Sequence, residues 1–189
     1  MTTEIYYATG NNGKFAEVKY FFQHNAPEMS VQQFAADIEE IQSLDQEKIA
    51  IDKAQKAWDI LKKPLLVDDS GIFFDAYPLF PGTMSKFIYQ SLGFEGVLKL
   101  VDANNKAAFI LKLVYTDGKQ MQVFEGRCDG IIVRPTDFSA PKQLPFKAIF
   151  KPDGSNKTYA ELFNTPEFSK FAFRERALKK FLMWHKTVA

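Results

Sequence analysis

The spacing of apolar residues changes several times along the chain, and each change marks an element. Residues 5–8 are a short apolar run of strand length. After the loop at 10–13 the spacing lengthens, and Phe15, Val18, Phe21 and Phe22 recur at helical intervals until Pro27. A second strand is predicted over 30–34, followed by a polar, acidic loop over 37–44. The strongest helical pattern covers 45–61, with Ile49, Ala50, Ala54, Ala57, Trp58 and Leu61 on one face. Asp45 suits its N-cap and Glu47 its first turn. Pro64 stops this helix before an apolar strand at 65–69, and 72–76 continues extended beyond Gly71 as a hairpin or a bent strand.

Pro78, Pro81 and Gly82 mark a loop, and short helices are predicted over 84–91 and 95–102. Long strands over 106–116 and 119–133 flank Asp117-Gly118, a dipeptide favoured in tight type I′ hairpin turns. A loop at 134–145, a short element at 146–150 and a turn at 151–154 follow. The last helix is predicted over 167–185, carrying Phe171, Ala177, Leu178, Phe181 and Leu182. No repeat, low-complexity tract or linker interrupts the pattern. Early alternation of strand and helix with a long central hairpin predicts an α/β fold around a mixed sheet.

At 189 residues the chain suits one domain, with room for two lobes, and can bury a good core. Its 15% aromatic content, dominated by 19 Phe, predicts an aromatic-rich core or a ring-lined cleft. The net charge of +1 argues against a general polyanion-binding surface, so no nucleic-acid partner is expected. Cys128 is the only cysteine, which excludes an intrachain disulfide and makes a reducing cytoplasm the default. Residues 1–4 do not open a secretory signal, and no apolar run approaches the roughly 18 residues of a membrane helix. A cytoplasmic protein without a membrane partner is expected.

Two segments carry the chemistry. Ala8-Thr9-Gly10-Asn11-Asn12-Gly13-Lys14 joins a strand to a helix. Glycines there let the backbone turn and approach a ligand, free amides at a helix start suit an anion, and Lys14 adds charge. A strand-to-helix turn that merely needs glycine accounts for the same residues, and the Walker ending is absent. Leu65-Leu66-Val67-Asp68-Asp69-Ser70-Gly71 ends an apolar strand in adjacent carboxylates. Alternation sends them to opposite faces, so they do different jobs. Acids at such a place are costly unless solvated, paired or bound to a metal, and oxygen ligands favour Mg²⁺. Two acids capping a turn is the plainer reading. Glu39 and Glu40 form either a solvated pair or one further metal ligand. Lys53 flanks the apolar face of its helix, so it either leans toward a cleft or stays in solvent. His24 and His185 make no zinc cluster, and no Ser/His/Asp spacing is present.

Taken together, these segments resemble the inosine/xanthosine triphosphate pyrophosphatases, enzymes that act on nonstandard purine nucleotides. The resemblance spans nearly the whole chain. It rests on Ala8–Lys14 with Glu17, on Glu40-Ile41-Gln42, on Lys53-Ala54 and on Val67-Asp68-Asp69-Ser70-Gly71. It continues through Phe80-Pro81-Gly82 with Ser85-Lys86, Gly126 with Gly130, and Pro152-Asp153-Gly154 before Thr158-Tyr159-Ala160-Glu161-Leu162. It implies an elongated, twisted mixed sheet with flanking helices, two lobes around a central nucleotide cleft, and a homodimer. It also implies Mg²⁺-dependent conversion of nucleoside triphosphates to monophosphate and pyrophosphate, a housecleaning of the nucleotide pool. Thr9, Gly10, Asn11, Lys14 and Lys53 would then hold the triphosphate and Ser70 would touch it. Glu40 and Asp69 would bind Mg²⁺, Asp69 would help activate water, and Asp68 would stand beside it.

Departures from the family pattern fall in one place, the residues that recognise the base. Family members carry Phe-Gly-Tyr/Trp-Asp-Pro where this chain has Leu144-Pro145-Phe146-Lys147-Ala148, and Ser-His-Arg where it has Ala172-Phe173-Arg174. A family lysine is matched by Phe168. Phe146, Lys147 and Arg174 are therefore the expected base contacts, with a donor where the family has an acceptor. Inosine and xanthosine triphosphates are not expected to be clearly preferred over standard ones. Two alternatives share these residues: a nucleotide-binding or interaction protein that has lost turnover, and a hydrolase for another phosphorylated metabolite.

Overall fold

The computed structural model describes residues 3–134, 146–163 and 165–188. Nearly all of the loop expected over 134–145, including Leu144, lies outside the described residues. The chain forms β1 (Thr3–Ala8), α1 (Asn12–Asn25), β2 (Met29–Phe34), α2 (Gln46–Leu61), β3 (Leu65–Phe74), β4 (Pro81–Gly82) and α3 (Ser85–Leu100). It continues with β5 (Lys106–Thr116), β6 (Met121–Ile132), α4 (Phe146–Ile149), β7 (Phe150–Pro152), α5 (Tyr159–Leu162), a 3₁₀ turn at Phe168–Lys170 and α6 (Phe173–Val188). The expected mixed α/β class is observed. The strands form one sheet ordered β2-β1-β3-β5-β6-β7, with β4 against β3. β1 runs parallel to β2 and β3, whereas β4 and β7 pair antiparallel with β3 and β6. No helix among the described residues is long and apolar enough to cross a membrane.

Contacts divide the chain into two compact units, residues 1–69, 111–126 and 174–189, and residues 70–110 and 127–173. In the first, Asp45 caps α2 by accepting from the amides of Glu47 and Lys48, worth about 1 kcal/mol. Ala50, Ala54 and Ala57 pack against Ala8, Leu65, Val67 and Val114, with Trp58 and Leu61 at the margin. Small side chains let this helix lie close to the strands. The other side of the strands carries rings: Phe22 of α1 meets Phe181 of α6, which packs on Tyr115 and Phe124. This two-sidedness sets the site. Leu65, Val67 and then Asp69 point toward α2, while Leu66 and Asp68 point toward α1 and α6.

In the second unit, β3 runs on to Phe74 and pairs Ile72 with Gly82. A Cβ at Gly71 would overlap the Gly82 carbonyl, so this pairing requires glycine. The helices expected over 84–91 and 95–102 form one span, α3, interrupted at Gly93. Rings dominate the interior, with Phe109, Phe150, Tyr159 and Phe173 in mutual contact.

Local chemistry changes three expectations. The hairpin forms, but Gly118 alone in its turn takes a positive φ, so the turn is not type I′. Instead the Asp117 carboxylate accepts from the amides of Lys119 and Gln120, which delays β6 to Met121. The final helix starts at Phe173 rather than near 167, because Phe168–Lys170 winds as a 3₁₀ turn with Phe168 edge-on to Tyr159 and Phe163. Lys151 and Pro152, expected in a turn, belong to β7, which gains the ladder of β6.

Candidate active site

The loop between β1 and α1 is held by its own side chains. The Thr9 hydroxyl accepts from the Asn11 amide at 3.1 Å, and the Asn11 carbonyl oxygen caps α1 by accepting from the Lys14 amide at 3.1 Å. Neither Gly10 nor Gly13 takes a positive φ, so the turn itself is not what needs glycine. A Cβ at Gly13 would press on the Asn11 oxygen, whereas one at Gly10 would meet nothing within 4 Å. Gly10 thus leaves open space beside the first amides of a 14-residue helix, a place suited to an anion.

Asp68 is the most heavily bonded acid in this region. Lys14 Nζ donates to its Oδ1 at 2.6 Å, and Tyr7 Oη and Arg174 Nε donate to its Oδ2 at 2.5 and 2.8 Å. The Arg174 guanidinium also bonds Glu17. Asp68 is 3% exposed and Arg174 4%. Burial opposes the charge on Asp68, but Lys14 and Arg174 outweigh it and hold its carboxyl far below the usual range. Burial also opposes the charge on Arg174, and Glu17 and Asp68 overcome it. The Tyr7 phenol is pushed up by burial and by the charge of Asp68. Asp68 therefore stays anionic and fully engaged. It fixes the Lys14 ammonium and is unsuited to shuttling a proton. Arg174, expected to contact a base, spends its guanidinium on protein carboxylates.

On the opposite side of the strand, Asp69 is left differently. Its Oδ2 is buried with no hydrogen-bond partner among the described residues. Burial pushes its carboxyl up; Lys14 pulls it down, Asp68 raises it further, and a bond from the Gln46 side chain lowers it. Glu40 pairs with Lys53 Nζ, and Lys56 Nζ reaches the Glu39 carbonyl at 2.9 Å. Lys53 does lean inward, with a side chain only 15% exposed. An unsatisfied buried carboxylate oxygen fits a hard cation. No group of three acids, histidines or cysteines among the described residues could cage an ion.

The residues expected at the base lie in the second unit, apart from Arg174. Ser70 follows Asp69 and is half-buried. Phe146 is a core ring, packed edge-on to Phe74 and Tyr89. Lys147 is 7% exposed, with its ammonium over the rings of Tyr159 and Phe163 at 5.3 and 5.2 Å. Phe173 stacks on Phe109 with centroids 5.1 Å apart and planes 13° from parallel.

The structure adds Tyr7, Glu17 and Gln46 to the set. Glu17 follows Lys14 by one helical turn, so its placement on the same face was readable from spacing. Tyr7 sits inside an apolar strand and Gln46 at a helix start, and neither carries a signal of its own.

The sequence pattern of the Ham1 family matches residues 5–184. A dITP/XTP pyrophosphatase of Thermococcus kodakarensis is 35% identical over 182 residues, covering 95% of this chain and 96% of that protein. An inosine triphosphate pyrophosphatase of Kluyveromyces lactis is 34% identical over 189 residues, covering 95% of each chain. The solved structure of the Staphylococcus aureus Ham1 protein matches with a TM-score of 0.78 at 23% identity, covering 99% of this chain and 100% of that one. At that identity the likeness speaks for the fold.

Proposed function

Because the chain belongs to the Ham1 family, we propose that it is a Mg²⁺-dependent nucleoside-triphosphate pyrophosphatase that cleaves between the α and β phosphates. The relatives named for dITP, XTP and inosine triphosphate support the reaction class. The observation that carries the reading is the division of labour at the end of β3. Asp68 is locked between Lys14 and Arg174, while the neighbouring Asp69 keeps a buried oxygen unsatisfied.

Each group has a chemical task. The amides at the start of α1 and the ammonium of Lys14 receive phosphate oxygens beside Gly10. Asp68, held by Arg174, which Glu17 braces in turn, keeps that ammonium in place while charge shifts onto the leaving pyrophosphate. Lys53 adds a second positive charge. Asp69 orients the attacking water and accepts its proton. Asp69 and Glu40 would hold Mg²⁺, which supplies further neutralisation of the phosphates. Removal of unwanted nucleotides from the cellular pool is the role this chemistry serves.

Incubation with Mg²⁺ and a panel of purine and pyrimidine nucleoside triphosphates tests the proposal. Monophosphate and pyrophosphate should appear in equal amounts, and chelation of the metal should stop their release. Nucleotide binding without pyrophosphate from any substrate would replace the enzyme with a binding protein.

A further inference from the structure

The first turn of α2 is tied down from several sides. Asp45 caps it through the amides of Glu47 and Lys48. The Glu47 carboxylate accepts from Lys112 Nζ of β5 at 3.1 Å, and Lys112 also pairs with Glu125 of β6 at 3.2 Å. One turn on, Ala50 and Ala54 pack against Leu65, Val67 and Val114. Among these ties stands Gln46, a residue type found mostly in water but here only 5% exposed. Its side chain hydrogen-bonds Asp69, and both residues belong to the first unit. An ionised carboxylate only accepts, so the Gln46 amide nitrogen is the donor. Asp69 Oδ2 has no partner among the described residues, so the bond falls on Oδ1.

Resting on the pyrophosphatase reading, we propose that Gln46 is a positioning residue, whose amide holds one oxygen of Asp69 and so aims the other at the attacking water. A carboxylate turns readily about its last bond, and fixing one oxygen stops that rotation. The amide can do this because its own backbone is anchored by the cap at Asp45 and by the Glu47–Lys112 pair. The neutrality of the donor matters as much as its place. Lys14 and Arg174 hold Asp68 with full charges, and that acid is fully engaged. Gln46 steers Asp69 without cancelling its charge, so Oδ2 keeps its pull on a proton.

The experiment is a double-mutant cycle between Gln46→Met, which keeps the side chain's length but removes the donor, and Asp69→Ala. With the best triphosphate at saturating Mg²⁺, Gln46→Met should lower kcat about 10–100-fold, the usual worth of a group that orients a working carboxylate. KM should stay within about threefold, because the phosphate-binding groups are untouched. In the Asp69→Ala background the same substitution should change kcat by less than about threefold, since no carboxylate is left to aim. In metal-free protein, the shifts that the two substitutions cause in the urea midpoint should not add, because they remove the same bond. A kcat of Gln46→Met within about tenfold of wild type overturns the proposal. So does an equal loss in both backgrounds, or additive midpoint shifts, as a merely structural glutamine would give. Should the Met variant fail to fold, Gln46→Asn, which draws the amide back by one methylene, takes its place with the same outcomes. Absence of turnover in wild type overturns the pyrophosphatase reading and this role with it, whereas turnover untouched by the substitution overturns the role alone.

Discussion

Arg174 and Lys147 are both buried cations, and the two units treat them differently. In the first, the Arg174 guanidinium bonds the carboxylates of Asp68 and Glu17. In the second, the Lys147 ammonium lies over the faces of Tyr159 and Phe163. The first arrangement is a network of ion pairs, which suits the proposed task of holding phosphates. The second is made of rings that pack by shape, and it holds the residues expected from the sequence to depart from the family pattern. On the proposed function, phosphate handling rests on ion pairs and base choice on ring packing, so one can change while the other stands.

The largest break in that comparison comes from the first unit. Asp68→Ala would leave Arg174 half-compensated and Lys14 without its anchor. Breaking a buried pair typically costs about 3–5 kcal/mol, and denaturant unfolding should show a loss of that size. A loss near zero would mean the network is not holding the strand end. A smaller break runs the opposite way. Phe173→His inserts a polar ring between Phe109 and Tyr159. The second unit should lose about 1–3 kcal/mol through the unpaired imidazole nitrogen. Removing polarity harms one unit and adding it harms the other; equal tolerance of both changes would erase the distinction.

Much of the fold was legible because burial imposes periodicity. The alanine face of α2 and its Asp45 cap are written at helical spacing, and the alternation at β3 already sent Asp68 and Asp69 to opposite sides. The 3₁₀ turn was not legible, because Phe168 and Phe171 also fit a helical stripe and only Tyr159 and Phe163 decide otherwise. Residue types marked the site, yet its roles depended on distant partners. Arg174 reaches Asp68 from 106 positions away and Lys14 from 54. Spacing cannot show such pairings, so the sequence placed Asp68 beside Asp69 without its bonds to Lys14 and Arg174. The glycines of the first loop were singled out for turning and for the approach of a ligand; neither takes a positive φ, and a Cβ at Gly10 would meet nothing within 4 Å.

In the proposed reaction Asp69, and not its neighbour Asp68, handles the attacking water. The direct measurement is pyrophosphate release by Asp69→Asn under saturating Mg²⁺ and nucleotide, alongside nucleotide affinity. The prediction is a fall in kcat of about 10²–10⁴-fold, the usual worth of a general base. Nucleotide affinity measured without Mg²⁺ should stay within about threefold, because Lys14 and the loop amides are untouched. Turnover within about tenfold of wild type would contradict the claim and return the chemistry to other residues.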